Sequence, residues 1–146
     1  MRWALRTAVW SQEAVTPLDV YFTGGAILTS ENTTYRWNEV GKEQINSLLA
    51  RQAIHGEVMT VARLEMSTGC VIPEHSHHNE QISMVEKGRV KFTVSGKAVI
   101  LSAGEMLHIL PNQVHSAEAL EDAVAVELFS PRREDWIRGD NTYLRK

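Results

Sequence analysis

His75-Ser-His77 and Gln81, four residues further on, place three donor side chains at odd positions of one short segment. Side-chain direction repeats every two residues on a β-strand, so His75 and His77 point to one face, and Gln81 on a continuing strand shares it. A third imidazole, His115, follows just after Pro111. Three neutral imidazole nitrogens and one amide oxygen suit one divalent transition metal such as Zn, Ni, Fe or Mn. The amide also has a charge consequence. A carboxylate beside three imidazoles would leave a divalent site at +1, whereas Gln81 leaves it at +2, a stronger Lewis acid for a carbonyl or an anion. The same charge supports trivalent iron poorly, which favours isomerisation or tautomerisation over oxidation.

Four other donors have to be placed. Glu80 is the rival to Gln81, but its opposite parity turns it away from the pocket unless a local turn intervenes. His78 has the same even parity and reads as solvent-facing. His55, beside Gly56, reads as a turn residue. His108 shares a strand face with Met106 and Leu110 and reads as a barrel histidine or a donor behind the ligands.

Glycines frame the donors. Gly69 precedes His75 by five intervening residues, three residues separate His77 from Gln81, and six more lead to Gly88. This spacing resembles the first motif of the cupin superfamily. Gly104 through Pro111 to His115 resembles the second, more loosely, because Gln113 and Val114 stand where the family has a glycine and one more residue. Fifteen residues lie between Gly88 and Gly104, enough for two short strands and a tight turn. The resemblance covers about residues 40–130. It implies an all-β jelly-roll barrel with His75, His77, Gln81 and His115 holding one metal inside.

The elements that must position these groups are short strands. Apolar or alternating runs cover Ile45–Ala53, Glu57–Met66, Gln81–Glu86, Arg89–Val94, Lys97–Leu101, Met106–Leu110, Val114–Ala119 and Ala123–Leu128. Ser95-Gly96 reads as a two-residue hairpin turn. Such spacing predicts an antiparallel sandwich or barrel in one domain. A barrel over 41–130 is then flanked by an N-terminal arm over 1–40 and a short C-terminal helix and tail over 131–146. The arm carries Trp3, Trp10 and Trp37, three of the four tryptophans, together with Val20-Tyr21-Phe22. Apolar groups so near a terminus need a surface to pack on, and a second subunit supplies one, so a homodimer is expected. Ser130-Pro131 ahead of Glu134 and Asp135 predicts a helix start with a serine cap, ending near Gly139.

Composition bounds the partners. The chain has 146 residues, a net charge of −3 and a pI near 6.1, with acids and bases interspersed. Neither a nucleic-acid nor a membrane partner is expected from this pattern. One cysteine, Cys70, excludes an internal disulfide and reads as a small packed hydrophobe, and no signal-like apolar run opens the chain, so a cytoplasmic location is expected.

The last strand offers two faces, Val124, Val126 and Leu128 on one, Ala123, Ala125, Glu127 and Phe129 on the other, and either could line the interior. With the ligand motif, the run Glu127, Phe129, Arg133 resembles the pectin-degradation cupins of the KdgF type, which carry 4,5-unsaturated uronates towards linear ketonised sugars. Their pattern has an acid, a phenylalanine two positions later and an arginine four beyond. The family's acid is an aspartate; Glu127 is one methylene longer. The resemblance implies Glu127 and Arg133 as the catalytic pair, Glu127 moving a proton and Arg133 clamping the carboxylate of a small substrate, with Phe129 also against that substrate. The bland alternatives are an exposed Glu127 and an Arg133 paired with Glu134 or Asp135. A quercetinase-like dioxygenase and a non-catalytic ligand-binding cupin are the rival functions.

Overall fold

The computed structural model describes residues 33–140 and 142–145. Trp3, Trp10 and Val20-Tyr21-Phe22, on which the arm and dimer expectations rest, lie outside the described residues. The chain opens with a hairpin of β1 (Lys42–Asn46) and β2 (Leu49–His55). The single strand expected over Ile45–Ala53 is therefore broken. Asn46 Oδ1 accepts the Leu48 N–H at 2.9 Å, a side-chain turn that competes with the strand ladder. A turn closed by Gly56 N–H donating to Met59 O delays β3 to Thr60–Met66, three residues later than expected. His55 accordingly ends a strand, and its Nδ1 lies 2.8 Å from Thr60 Oγ1.

β4 (Val71–His75), β5 (Glu80–Lys87), β6 (Arg89–Val94), β7 (Lys97–Ser102), β8 (Met106–Ile109), β9 (His115–Ala119) and β10 (Ala123–Ser130) complete the set. They form two antiparallel sheets, β1-β2-β3-β10-β5-β8 and β4-β9-β6-β7. Ser95 and Gly96 both take positive φ, 47° and 79°, as the turn joining β6 to β7 requires. Gly88 is needed for space: a Cβ there would lie 2.4 Å from Asp122 O.

The inner faces of the two sheets meet over one core. Leu64, Val85 and Ile109 from the first pack with Ile72, Val90, Phe92 and Leu101 from the second, all below one-tenth exposed. The alternation on β3, buried at Thr60, Ala62, Leu64 and Met66, is that of a half-solvated strand. Cys70 is buried in this core, as expected, and burial pushes its thiol up. The fold is an all-β jelly roll.

The short C-terminal helix is present, but it starts later than expected and without the serine cap. Ser130 ends β10, and α1 spans only Glu134–Ile137, with Arg133 at its N-cap and no side-chain cap. Ser130 and Pro131 cannot cap it because the strand ladder runs through Ser130, paired with Glu80. The helix does end by Gly139, at φ 81°. A 3-10 turn over Thr142–Arg145 follows, and Trp136 and Leu144 join the core. Among the described residues no helix is long and apolar enough to cross a membrane.

Candidate metal centre

β4 delivers His75, β9 delivers His115, and the link to β5 delivers His77; one ring nitrogen from each lies within 4.8 Å of the others. Each imidazole is oriented by its own neighbourhood. His75 Nδ1 lies 2.8 Å from Pro73 O, His115 Nδ1 2.8 Å from Gln113 O, and His77 Nδ1 3.0 Å from Asn79 O. A carbonyl needs an N–H, so these contacts put the ring proton on Nδ1 and leave the Nε2 lone pairs free. Burial pushes His75 and His77 down to about 4 and lowers His115 too, so all three are neutral near pH 7.

The fourth donor is held differently. Gln81, 5% exposed, donates from Nε2 to Glu127 Oε2 at 2.5 Å and to Ser83 Oγ at 2.9 Å. Those two bonds fix the amide, and its Oε1 then lies 3.0 Å from His77 Nε2. With the His77 proton on Nδ1, two acceptors face each other across that gap. His115 Nε2 is also buried without a hydrogen-bond partner. Facing lone pairs and an orphaned nitrogen in one cavity are unfavourable as they stand and are relieved by a cation, so these residues fit a metal ion.

Glu127 is 3% exposed and faces the interior with Ala123, Ala125 and Phe129, which decides between the two faces of β10. Its Oε2 also accepts Ser83 Oγ–H at 2.6 Å. Burial pushes this carboxyl up to about 7, against the lowering pull of the Ser83 and Gln81 bonds and the Arg133 charge. Phe129 lies edge-on to His77, with ring centres 5.5 Å apart. Arg133 is 1% exposed, not a surface residue. Its guanidinium does pair with Asp135, Nε to Oδ1 at 2.9 Å and Nη2 to Oδ2 at 2.7 Å, and Nη2 also donates to Tyr143 Oη at 2.8 Å.

Glu80 and His78 are exposed. Glu80 turns outward as its parity requires and meets His108 Nε2 at 2.6 Å. His108 is thus no interior histidine: Met106, 63% exposed, and Leu110, 51% exposed, share its outward face, and Leu107 and Ile109 turn inward. Parity was right and the choice of face wrong, because β8 is an edge strand with apolar residues on both sides.

Sequence reasoning missed three contributors. Asn79, 1% exposed, donates to Pro131 O at 2.5 Å and ties the His77 loop to the C-terminal segment. Tyr143 stacks on His75 at 4.5 Å. Arg51, 5% exposed, shares the inward parity of Leu49 on β2, and that parity was its available signal. All the groups on the cavity wall share about 30 Å³ of free space, room for a metal ion and a water or two.

Residues 62–130 match the Cupin domain family. The barrel has the cupin fold. It resembles the KdgF type. The structure of KdgF from a Halomonas species is 26% identical and superposes with a TM-score of 0.69 over 73% of this chain and 99% of that one. The pectin degradation protein KdgF of Dickeya dadantii is 23% identical over 103 residues, 69% of this chain and 90% of that relative. An oxalate-binding protein of Thermotoga maritima is 28% identical over 101 residues, 66% of this chain and 84% of that relative.

Proposed function

We propose that this cupin is a metal-dependent enzyme that isomerises, ring-opens or tautomerises a small uronate-like acid. The observation that carries this reading is a buried carboxyl, Glu127, hydrogen-bonded to Gln81 in the same cavity as three imidazoles with free lone pairs. The names of the pectin-degrading relatives supply the substrate class. His75, His77, Gln81 and His115 would hold one divalent transition metal (Zn, Ni, Fe or Mn). Bound there, the metal would act as a Lewis acid towards oxygens of the substrate.

The remaining work falls to the chain. Glu127 moves a proton between substrate carbon and oxygen, and Gln81 Nε2 and Ser83 Oγ hold its Oε2 in place for that transfer. Phe129, stacked edge-on between His77 and Trp136, forms the apolar wall that keeps water from the reacting face. Arg133 packs over Phe129 at 4.8 Å and Trp136 at 4.2 Å, steadying that wall and adding positive charge for an acid. Tyr143 and Leu144 line the same cavity beside His75 and Arg133.

The test is an absorbance assay with unsaturated galacturonate on metal-loaded protein, following loss of the C4–C5 double bond. Metal-dependent turnover is expected; full metal occupancy with no turnover on any unsaturated uronate overturns the reading. The oxalate-binding relative favours a second reading, a cupin that binds a small acid without converting it. Tight oxalate binding without turnover would select it.

A further inference from the structure

Two buried arginines lie over the ring of Trp136, Arg133 at 4.2 Å and Arg51 at 4.1 Å. They differ in how their donors are met. Arg133 is held by a two-point pair with Asp135 and a bond to Tyr143. Among the described residues Arg51 has one hydrogen-bond partner, Glu43, whose Oε2 lies 2.7 Å from Nη2. Its Nη1 is buried and has no hydrogen-bond partner among the described residues. Arg51 also lines the cavity that holds His75, Gln81, His115 and Glu127.

A guanidinium nitrogen kept from water without an acceptor is a cost that folding alone does not reward. On the inner face of a barrel strand, an apolar residue would pack there at less cost. A water can serve the donor while the cavity is empty of substrate. A carboxylate oxygen serves it better, because the bond is then charged on both sides and the planar fork matches the carboxylate shape. We propose that Arg51 is the residue that anchors the carboxylate of the bound acid, through Nη1: Arg133 holds the wall and Arg51 reads the charge. This assignment rests on the reading that the cavity takes a carboxylated molecule, and it names the group that recognises it.

Calorimetric titration of the zinc-loaded full chain tests the assignment, with D-galacturonate and its uncharged methyl ester as one probe pair and oxalate as a second probe. The wild type should prefer the acid over the ester. Arg51→Met should lower that preference by about 10- to 100-fold, with Arg51→Lys in between because it keeps the charge and loses the fork. Metal content should be unchanged. The thermal midpoint of Arg51→Met should hold or rise, because an unsatisfied buried donor is removed; a merely structural arginine would give the reverse.

An acid preference that survives in Arg51→Met overturns the anchor and leaves the uronate reading standing. Oxalate binding that depends on Arg51, in a protein that ignores galacturonate, upholds the anchor and overturns the uronate reading. Absence of any carboxylate binding to the wild type overturns the anchor. If Arg51→Met fails to fold, the ratio of acid to ester binding in Arg51→Lys decides, and a ratio equal to the wild type's overturns the proposal.

Discussion

The imidazoles carried by the four-stranded sheet are held by their own chain neighbours, whereas the polar groups carried by the six-stranded sheet are held across strands. His75 and His115 each place Nδ1 against the carbonyl two residues earlier, and His77, in the link between the sheets, uses the carbonyl two residues later. Gln81 and Glu127 meet across 46 residues of sequence, Ser83 and Glu127 across 44, through the β5–β10 ladder. One half of the cavity is therefore set by local backbone geometry and tolerates change elsewhere. The other half depends on register, because a one-residue slip of β5 would turn Gln81 and Ser83 outward and one of β10 would turn Glu127 outward, either of which breaks the set.

The largest effect should come from the locally held half. His77→Ala and His115→Ala each remove a nitrogen for which the cavity offers no substitute. Since losing a mere supporting hydrogen bond costs about 10- to 100-fold in metal affinity, losing a ligand should cost more than about 100-fold. Elemental analysis after dialysis should find both variants empty and His78→Ala filled, because His78 is exposed. Equal metal in all three would break the contrast between the halves.

The same contrast explains what could be read from the sequence. Strand parity and glycine spacing are local, so the inward turn of His75, His77 and Gln81 and the outward turn of Glu80 were legible, as was the Ser95-Gly96 hairpin. Parity alone does not say which face is the inside. That is why β10 stayed open between its two faces and His108 was turned the wrong way. Contacts with long sequence separation left no trace: Asn79 holding Pro131 O, Tyr143 stacked on His75, Arg51 over Trp136. The false helix start at Ser130 is the same failure, since good capping residues were overridden by pairing with Glu80 in a strand 50 residues earlier in the chain.

The next effect in size belongs to the half held across strands. Glu127→Gln keeps shape and removes a charge that is no part of the imidazole set, so fold and metal content should persist. Turnover on an unsaturated uronate should fall by about 10²–10⁴, the usual worth of a positioned proton-transfer group. Glu127→Asp withdraws the carboxyl by one methylene from Gln81 and Ser83, and it restores the acid of the resembling family. Activity that survives there and dies in Glu127→Gln would confirm that the proton matters more than the hydrogen bonds; equal activity in Glu127→Gln and wild type would remove Glu127 from the mechanism.

Acid should set the two halves against each other in metal-free protein. His75 and His77 bind protons near 4 when folded and 6.5 when unfolded, and His115 is lowered as well, so below 6.5 the unfolded chain gains protons that the fold refuses. Stability conferred by these neutral imidazoles is complete above 6.5 and declines as pH falls towards 4. Glu127 acts with the opposite sign, since its folded carboxyl keeps a proton up to about 7 against 4.5 unfolded. Three histidines against one carboxyl should leave a net loss, read as a lower thermal midpoint for chelator-stripped protein at about pH 5 than at about pH 7.5. Unchanged midpoints would mean that the imidazoles are less buried than the geometry has them.

The smallest effect sharpens the comparison from outside the barrel. Glu80 is the immediate neighbour of Gln81 and a stronger metal donor by chemistry, yet its carboxylate meets His108 with both side chains about half exposed. Solvent screens such a contact, and side-chain entropy offsets much of it, so its worth is about 0–1 kcal/mol. Glu80→Ala should therefore shift the thermal midpoint little, by an amount that His108→Ala matches and the double variant does not add to. Metal content should not change in any of the three. Metal lost on Glu80→Ala would mean that the strand turns locally and that the carboxylate, not the amide, completes the donor set. Metal retained there and lost in Gln81→Ala would assign the fourth donor to the residue whose parity faces the imidazoles.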